Sequence, residues 1–291
     1  MKHMKAVTLQ FPLRILQYII GILLLVSLAG CTRSAPKEDN RTIFIAHGLG
    51  MVDGIGISNS LEAFNFNYNR GFRIFETDLL FTSDGGLVGA HDNMEDQLGF
   101  TKPFTQMTRD EYLNARVRGK LTTQSIENIL DLLRTHPDTI LIIDTKEDIE
   151  RSFRVLVPAA QSIDQNLLQR IVPQIYQPED VATLERIHHF DKLIFTLYRS
   201  NLSDEAILQF VEKTPQIYAI SMSTDRFSAN LAAQLRAHGV HAFVHTLNDE
   251  KVINDYINQG ATGVYTDSFF RNIQFPGDSL PSLAPSSVIK Q

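Results

Sequence analysis

The run from Phe75 to Asp92, FETDLLFTSDGGLVGAHD, sets two carboxylates two residues apart, Glu76 and Asp78, and then brings back a histidine, His91. Alternate residues of an extended strand share a face, so Glu76 and Asp78 converge. Asp84-Gly85-Gly86 is a turn signal between two strand-like runs. A hairpin closed there returns His91 roughly opposite Asp78. Phe72, Ile74, Phe75, Leu79 and Leu80 make the segment apolar, hence buried. Buried carboxylates are costly unless they are paired or bind a metal. The pattern therefore reads as a place to hold a divalent cation and move a proton, in preference to a solubilising surface hairpin.

Such residues need a rigid scaffold. Strand-like runs occur at Thr42–Ala46, Phe72–Leu80, Leu87–Ala90, Ile140–Asp144, Ile171–Tyr176, Leu193–Tyr198, Ile217–Met222, Ala242–Leu247 and Gly263–Thr266. The third is the return arm of the hairpin. The other eight match the number that closes a TIM (β/α)8 barrel, with the hairpin extending strand 2 at the C-terminal mouth. Helical spacing recurs at Ile126–Arg134, Val181–His188, Asp204–Val211, Ser228–His238 and Glu250–Gln259, as a parallel α/β chain requires. Asn59-Ser60-Leu61-Glu62 and Thr108-Arg109-Asp110-Glu111 read as capping boxes. Residues 92–125, with little strand character, are expected to cover one side of the mouth.

In this architecture function collects where strands end at the C-terminal face. The first strand ends in His47, and the second carries Glu76 and Asp78. The third barrel strand carries Asp144 and Lys146, and the eighth ends in Thr266-Asp267. Glu76, Asp78 and Asp144 form an all-oxygen donor set, which suits one hard cation, Ca²⁺ or Mg²⁺. His47 and His91 can flank a single reacting group, one imidazole accepting a proton and the other donating one, as cleavage of a phosphodiester requires. Lys146 either holds a nonbridging phosphoryl oxygen or pairs with Asp144 or Glu147. Asp267 reads as a cap on the turn after the last strand and Glu62 as a helix cap. His188 and His189 sit at a helix end facing solvent.

The 291-residue chain has a net charge of −6 and no basic run or stripe, so nothing points to a nucleic-acid partner. Its first 30 residues differ from the rest. Lys2, Lys5 and Arg14 precede a nearly unbroken apolar run, Leu16 to Ala29, followed by Leu28-Ala29-Gly30-Cys31. This resembles a bacterial lipoprotein signal peptide with its lipobox. The resemblance implies export, diacylglyceryl transfer to Cys31 and membrane anchoring in the cell envelope, with Thr32 after the cysteine favouring an outer membrane. Cys31 is the sole cysteine, so disulfides and Cys-ligated metals are excluded. The expected organisation is a signal peptide over 1–30, a lipidated tether over 31–41, a barrel over 42–274 and a loose tail over 275–291.

The order His47, Asn59-Ser60, Glu76-x-Asp78, Thr82-x-Asp84-Gly85, Leu87-Val88-x-x-His91-Asp92, Asp144-x-Lys146 and Gly263-Val264-x-Thr266-Asp267 resembles the glycerophosphodiester phosphodiesterase family. That family is similar in fold and site to phosphatidylinositol-specific phospholipases C. The likeness runs over about residues 42–270. It implies a TIM-barrel phosphodiesterase dependent on Ca²⁺ or Mg²⁺, with His47 and His91 as the acid/base pair and Glu76 and Asp78 as ligands. Asp144 stands where a glutamate ligand is usual, and Lys146 matches the family lysine. The chain departs from the pattern at His47-Gly48-Leu49-Gly50, where His-Arg-Gly is usual. It departs again at Ser58-Asn59-Ser60, and at His245-Thr246-Leu247-Asn248 in place of Trp-Thr-x-Asn. The implied substrate is a glycerophosphodiester. The alternatives are cleavage of intact phospholipid headgroups in the manner of a phospholipase C or D, and a non-catalytic surface lipoprotein. Gly48, Gly50, Gly54 and Gly56 also form a weak dinucleotide-loop pattern, but the helix begins too late to follow it.

Overall fold

The computed structural model describes residues 42–269. The expected signal peptide, Cys31, the tether and the tail lie outside the described residues.

In chain order the strands are β1 (Ile43–Ala46), β2 (Ile74–Phe81), β3 (Leu87–Gly89), β4 (Arg116–Val117), β5 (Leu121–Thr122), β6 (Ile140–Thr145), β7 (Ile171–Ile175), β8 (Leu193–Thr196), β9 (Ile217–Ser223), β10 (His241–His245) and β11 (Gly263–Thr266). The helices are α1 (Leu61–Arg70), α2 (Glu95–Leu98), α3 (Arg109–Asn114), α4 (Ile126–Thr135), α5 (Ile149–Ile163), α6 (Asp180–Glu185), α7 (Asp204–Lys213), α8 (Ala229–Ala237) and α9 (Glu250–Asn258). Eight parallel strands pair in the order β1-β11-β10-β9-β8-β7-β6-β2, and Ala46 opposite Phe75 joins β1 to β2 and closes the ring. The result is a TIM barrel. β3 is the ninth strand and the antiparallel arm of the hairpin, with Leu79 facing Gly89 and Phe81 facing Leu87.

Side-chain alternation along the strands sorts the barrel into layers. Ile43, Ile45, Ile74, Ile140, Ile142, Val172, Ile194, Ala219, Phe243 and Tyr265 form one buried cluster inside the ring. The out-of-phase residues, such as Phe44, Phe75, Leu141, Ile143 and Phe195, join the larger core beneath the helices. A strand that is inward-facing at Ile74 must be inward-facing again at Glu76 and Asp78. By the same count Ile140 and Ile142 are followed inward by Asp144, and Ile43 and Ile45 by His47. The apolar layer fills the lower barrel, and the next inward position on each strand is polar and lies toward the mouth.

Three local expectations change. Ser60, not Asn59, is the N-cap of α1, accepting from the Ala63 N–H at 3.2 Å. Asn59 has φ of +47° and turns its amide toward β2. Glu62 is not a capping glutamate but accepts from the backbone and hydroxyl of Thr122, both at 2.7 Å, pinning α1 to β5. α5 is the longest described helix, and its helical pattern is obscured in the sequence by Pro158. The Thr108–Glu111 capping box forms as expected. Residues 92–125 contribute nothing to the wall of the mouth pocket. They back the hairpin instead. Tyr112 donates to Gly89 O at 2.6 Å, Ser83 N–H donates to Met107 O at 2.8 Å, and Phe100, Phe104 and Tyr112 stack together.

Candidate active site

The pocket at the C-terminal mouth is walled by the upper inward residues of all eight barrel strands and the turns that follow them, together with His91 from beyond β3. Glu76, Asp78 and Asp144 converge beneath it. One ligand atom from each lies within 4.8 Å of the others, and all three residues are buried. In the sheet, Asp78 is directly opposite Asp144, so the register of β2 on β6 brings two of the acids together.

Each acid is held by different partners. Glu76 Oε2 accepts the Gly48 N–H at 2.8 Å. Asp78 Oδ2 accepts from the Asn59 amide at 3.0 Å, while Asn59 Oδ1 accepts from the Asp78 N–H at 3.0 Å and the Thr77 hydroxyl at 2.9 Å. Asp144 Oδ1 accepts from the Tyr176 hydroxyl and Oδ2 from Lys146, both at 2.6 Å. Lys146 Nζ also lies 2.9 Å from Asp78 Oδ1. That approach is an ion pair off the line a hydrogen bond needs, so Asp78 Oδ1 is a buried oxygen with no hydrogen-bond donor. Such an oxygen is unfavourable unless something else coordinates it. An all-carboxylate donor set with one buried oxygen held only by an ion pair fits a hard divalent cation.

The electrostatics agree with this geometry. Burial and the charge of Asp78 push the Glu76 carboxyl up to about 8, against the pull of His47. Burial would also raise Asp78, but the ammonium of Lys146, with His91 and His47, outweighs it and holds this carboxyl well below the usual range. Lys146 is raised, because Asp78 and Asp144 overcome its own desolvation. Three buried acids around one lysine do not all ionise readily, so Glu76 keeps its proton well above the usual range, and a dication would offset the charge that its ionisation adds.

The two histidines are oriented from behind. His47 Nδ1 lies 2.7 Å from Asp267 Oδ1. Asp267 is itself fixed by Asn248, whose amide donates to Oδ2 at 2.7 Å and whose Oδ1 accepts the Asp267 N–H at 2.8 Å. Burial depresses the His47 imidazole, but the Asp267 hydrogen bond and the charges of Glu76 and Asp78 prevail and raise it to about 9. His91 Nδ1 lies 2.7 Å from Asp92 O. A carbonyl only accepts, so Nδ1 carries the proton and Nε2 is the nitrogen available to the pocket.

His47, His91, Glu76, Asp78, Asp144 and Lys146 are thus gathered at one mouth. Lys146 takes the ion-pair role, with Asp78 and Asp144, whereas Glu147 faces Arg151 at 3.6 Å. His189 pairs with Glu185 on the surface, away from the pocket. Asp267 does more than close a turn, since it braces His47. Asn59, Tyr176 and Asn248 also serve the site, although the sequence placed Asn59 in a helix cap, Tyr176 at a strand end and Asn248 in a motif without a role. The signal for Gln174, Tyr176, Thr196, Ser221 and Tyr265 was strand phase, because each lies an even number of residues from an inward apolar residue on its own strand or the strand's extension. The glycines after β1 are not an anion loop, since the Gly48 N–H is taken by Glu76.

The chain matches the glycerophosphoryl diester phosphodiesterase family over residues 50–269. It is similar to a curated glycerophosphodiester phosphodiesterase of Bacillus altitudinis, 21% identical over 226 residues, which cover 72% of this chain and 88% of that one. Among solved structures it resembles a glycerophosphodiester phosphodiesterase of Thermotoga maritima, at 24% identity and a TM-score of 0.57, covering 78% of this chain and 95% of that one. It also resembles an Oleispira antarctica phosphodiesterase in complex with the product sn-glycerol-3-phosphate, at 14% identity and a TM-score of 0.63, covering 77% and 92%. At these identities the structural likeness is one of fold.

Proposed function

This chain belongs to the glycerophosphoryl diester phosphodiesterase family, whose members are phosphoric diester hydrolases, and on that premise we propose that it hydrolyses glycerophosphodiesters to sn-glycerol 3-phosphate and an alcohol. The observation that carries this reading is the buried triad of Glu76, Asp78 and Asp144 beneath two histidines that wall the same pocket.

Glu76, Asp78 and Asp144 would hold one divalent cation, Ca²⁺ or Mg²⁺, which when bound neutralises charge on the phosphoryl oxygens. The Asp267 carboxylate fixes the His47 imidazole through Nδ1. A cation among the acids would offset the charges of Glu76 and Asp78 that help hold it protonated, leaving it suited to take the proton of the attacking hydroxyl. With Nδ1 committed to Asp267, the acceptor is Nε2. His91, whose Nδ1 is held by Asp92 O at 2.7 Å and lies 3.2 Å from Asp92 Oδ1, acts as the imidazolium and gives its Nε2 proton to the departing alkoxide. The phosphorus–oxygen bond to the nucleophile forms as the bond to the alcohol breaks. A hydroxyl neighbouring the phosphate attacks first, and water then opens the cyclic phosphate, with the two histidines exchanging roles. Lys146 supplies positive charge beside the phosphoryl oxygens.

Metal-stripped protein should be inactive on glycerophosphodiesters and regain turnover when Ca²⁺ or Mg²⁺ is restored. His47→Ala and His91→Ala should each abolish turnover without unfolding the protein. Full activity in either variant contradicts the assignment. Cleavage of phosphatidylinositol in preference to glycerophosphoinositol would transfer the reading to intact lipid. We also propose that the chain is exported and anchored through acylated Cys31, on the strength of the lipobox. Cys31→Ala should then release it from the membrane fraction, and retention there would refute the anchor.

A further inference from the structure

The positive groups nearest the acids are already engaged. Lys146 lies between Asp78 and Asp144, and His47 is tied to Asp267. His245 is depressed to about 4 by burial and by the charges of His47 and Lys146, so it is neutral at physiological pH. Arg199 differs. It follows β8 in the turn closed by Ser200 N–H on Leu197 O at 3.0 Å, next to Tyr198, which walls the pocket and is 69% exposed. Arg199 is exposed and forms no ion pair among the described residues. Its guanidinium lies 5.0 Å from the ring centroid of Tyr176. Tyr176 is itself anchored, since its hydroxyl donates to Asp144. An arginine stacked on a fixed ring is held in place with its hydrogen-bonding edge uncommitted.

Arg199 does not wall the pocket, whereas Tyr176 does. The guanidinium is therefore one side chain removed from the acid cluster, beyond the place where a phosphoryl group would meet His47 and His91. A diester with its phosphoryl group at the two histidines could set its alcohol half on that side of the mouth. A cationic headgroup gains little there, because Arg199 already occupies a face of Tyr176 and repels a second cation. The acids of the pocket wall, Glu76 and Asp144, are engaged by Gly48, Lys146 and Tyr176. Asp180, on the loop after β7, accepts from the Tyr176 and Gln177 N–H groups, both at 2.9 Å.

Resting on the functional reading above, we propose that Arg199, stacked on Tyr176, is a specificity-determining residue for the leaving alcohol. It favours diesters whose headgroup bears negative charge and disfavours those with a quaternary ammonium.

The test compares kcat/KM for three substrates sharing the glycerol phosphate half: glycerophosphoinositol phosphate, glycerophosphoglycerol and glycerophosphocholine. The wild type should rank them in that order. Arg199→Ala should lower kcat/KM on the phosphorylated inositol substrate by about fivefold, the upper end for an exposed charge pair. It should leave glycerophosphoglycerol within about twofold and raise glycerophosphocholine, with an unchanged melting temperature, since this side chain is solvent-exposed. Arg199→Glu should invert the order. An equal loss on all three substrates would place Arg199 on the shared phosphodiester and overturn the headgroup assignment, as would no change on any. A wild type that cleaves all three in a different order also overturns it. A wild type that cleaves none removes the functional reading and this inference with it.

Discussion

Replacing Lys146 by methionine tests whether the acid cluster is built for a cation. The lysine side chain is only 9% exposed and its partners Asp78 and Asp144 are 0% and 8% exposed, so solvent screening does not dilute these ion pairs. Methionine keeps much of the volume and removes the charge. Asp78 and Asp144 are then buried without their ammonium and beside Glu76. Removing one partner of a buried pair costs about 3–5 kcal/mol, because the remaining charge is left uncompensated. For a domain of this size that corresponds to a fall in melting temperature of roughly 6–20 °C. The same change removes the one cation competing with a metal for two of the three ligands, so Ca²⁺ or Mg²⁺ should bind the variant more tightly.

The assay is thermal unfolding followed by circular dichroism, in excess EDTA and again with saturating Ca²⁺ or Mg²⁺. Lys146→Met should melt well below the wild type in EDTA and recover most of the difference on metal addition. A ligand at about 100 times its Kd adds roughly 2.7 kcal/mol, enough to close much of the gap. The readout does not depend on catalysis. A variant that melts within about 2 °C of the wild type in EDTA would refute the buried-pair reasoning. Equal metal stabilisation of variant and wild type would refute the claim that Lys146 competes for the ligands.

Glu76 is a buried carboxyl raised from its ordinary 4.5 to about 8, so the stability it contributes is full below 4.5 and lost as pH rises through about 8. His47, raised from 6.5 to about 9, acts with the same sign above 6.5. Metal-free protein should therefore lose melting temperature between pH 6 and 9 and Glu76→Gln should lose less, whereas a wild type that gains stability over that range is incompatible with the cluster as described. Asp267→Asn keeps the shape and removes the charge behind His47, so kcat should fall by roughly 10–100-fold, the worth of one charge-assisted hydrogen bond. KM should hardly move, the melting temperature should fall with the lost ion pair, and an unchanged kcat would return Asp267 to the role of a turn cap. Gly48→Ala should destabilise by about 1–3 kcal/mol, because φ is +55° and an added Cβ would sit 2.6 Å from Ile57 Cα; denaturant melts without a loss would show that the loop can yield.

Much of the site was legible because its signal is local. Glu76 and Asp78 share a strand, Asp144 and Lys146 sit at the end of another, and a two-residue period decides which way each points. The barrel itself followed from counting strands and assigning one to the hairpin. What escaped was held by distance or by conformation. Asp267 meets His47 across 220 positions of sequence, and only the pairing of β11 with β1, Thr266 beside Ala46, brings them together. Asn59 looked like a helix cap because its neighbours spell one, yet its positive φ hands that task to Ser60 and frees the amide for Asp78. Tyr176, read as the last residue of its strand, lies one residue past β7 and keeps the phase of Val172 and Gln174, but no sequence signal ties its hydroxyl to Asp144 on the neighbouring strand.

The departure at Gly48 also finds a physical cause. The chain leaves β1 through a turn in which Gly48, Leu49 and Gly50 all have positive φ. The turn aims the Gly48 N–H at Glu76 and passes its backbone against Ile57, where a Cβ on Gly48 would fall. A larger residue at position 48 would therefore break the loop that steadies Glu76, and an arginine could not simply be restored there. In this geometry the position after His47 supplies a backbone donor to Glu76 and no side-chain cation. A cation that touches the substrate must then be carried by another strand end. The turn after β8 carries one, Arg199, over the Tyr176 ring. The consequence is a division of labour across the mouth. Charge at the phosphoryl group would fall to a cation held by the acids, Lys146 and the histidines, while the outlying arginine would act on the group that leaves.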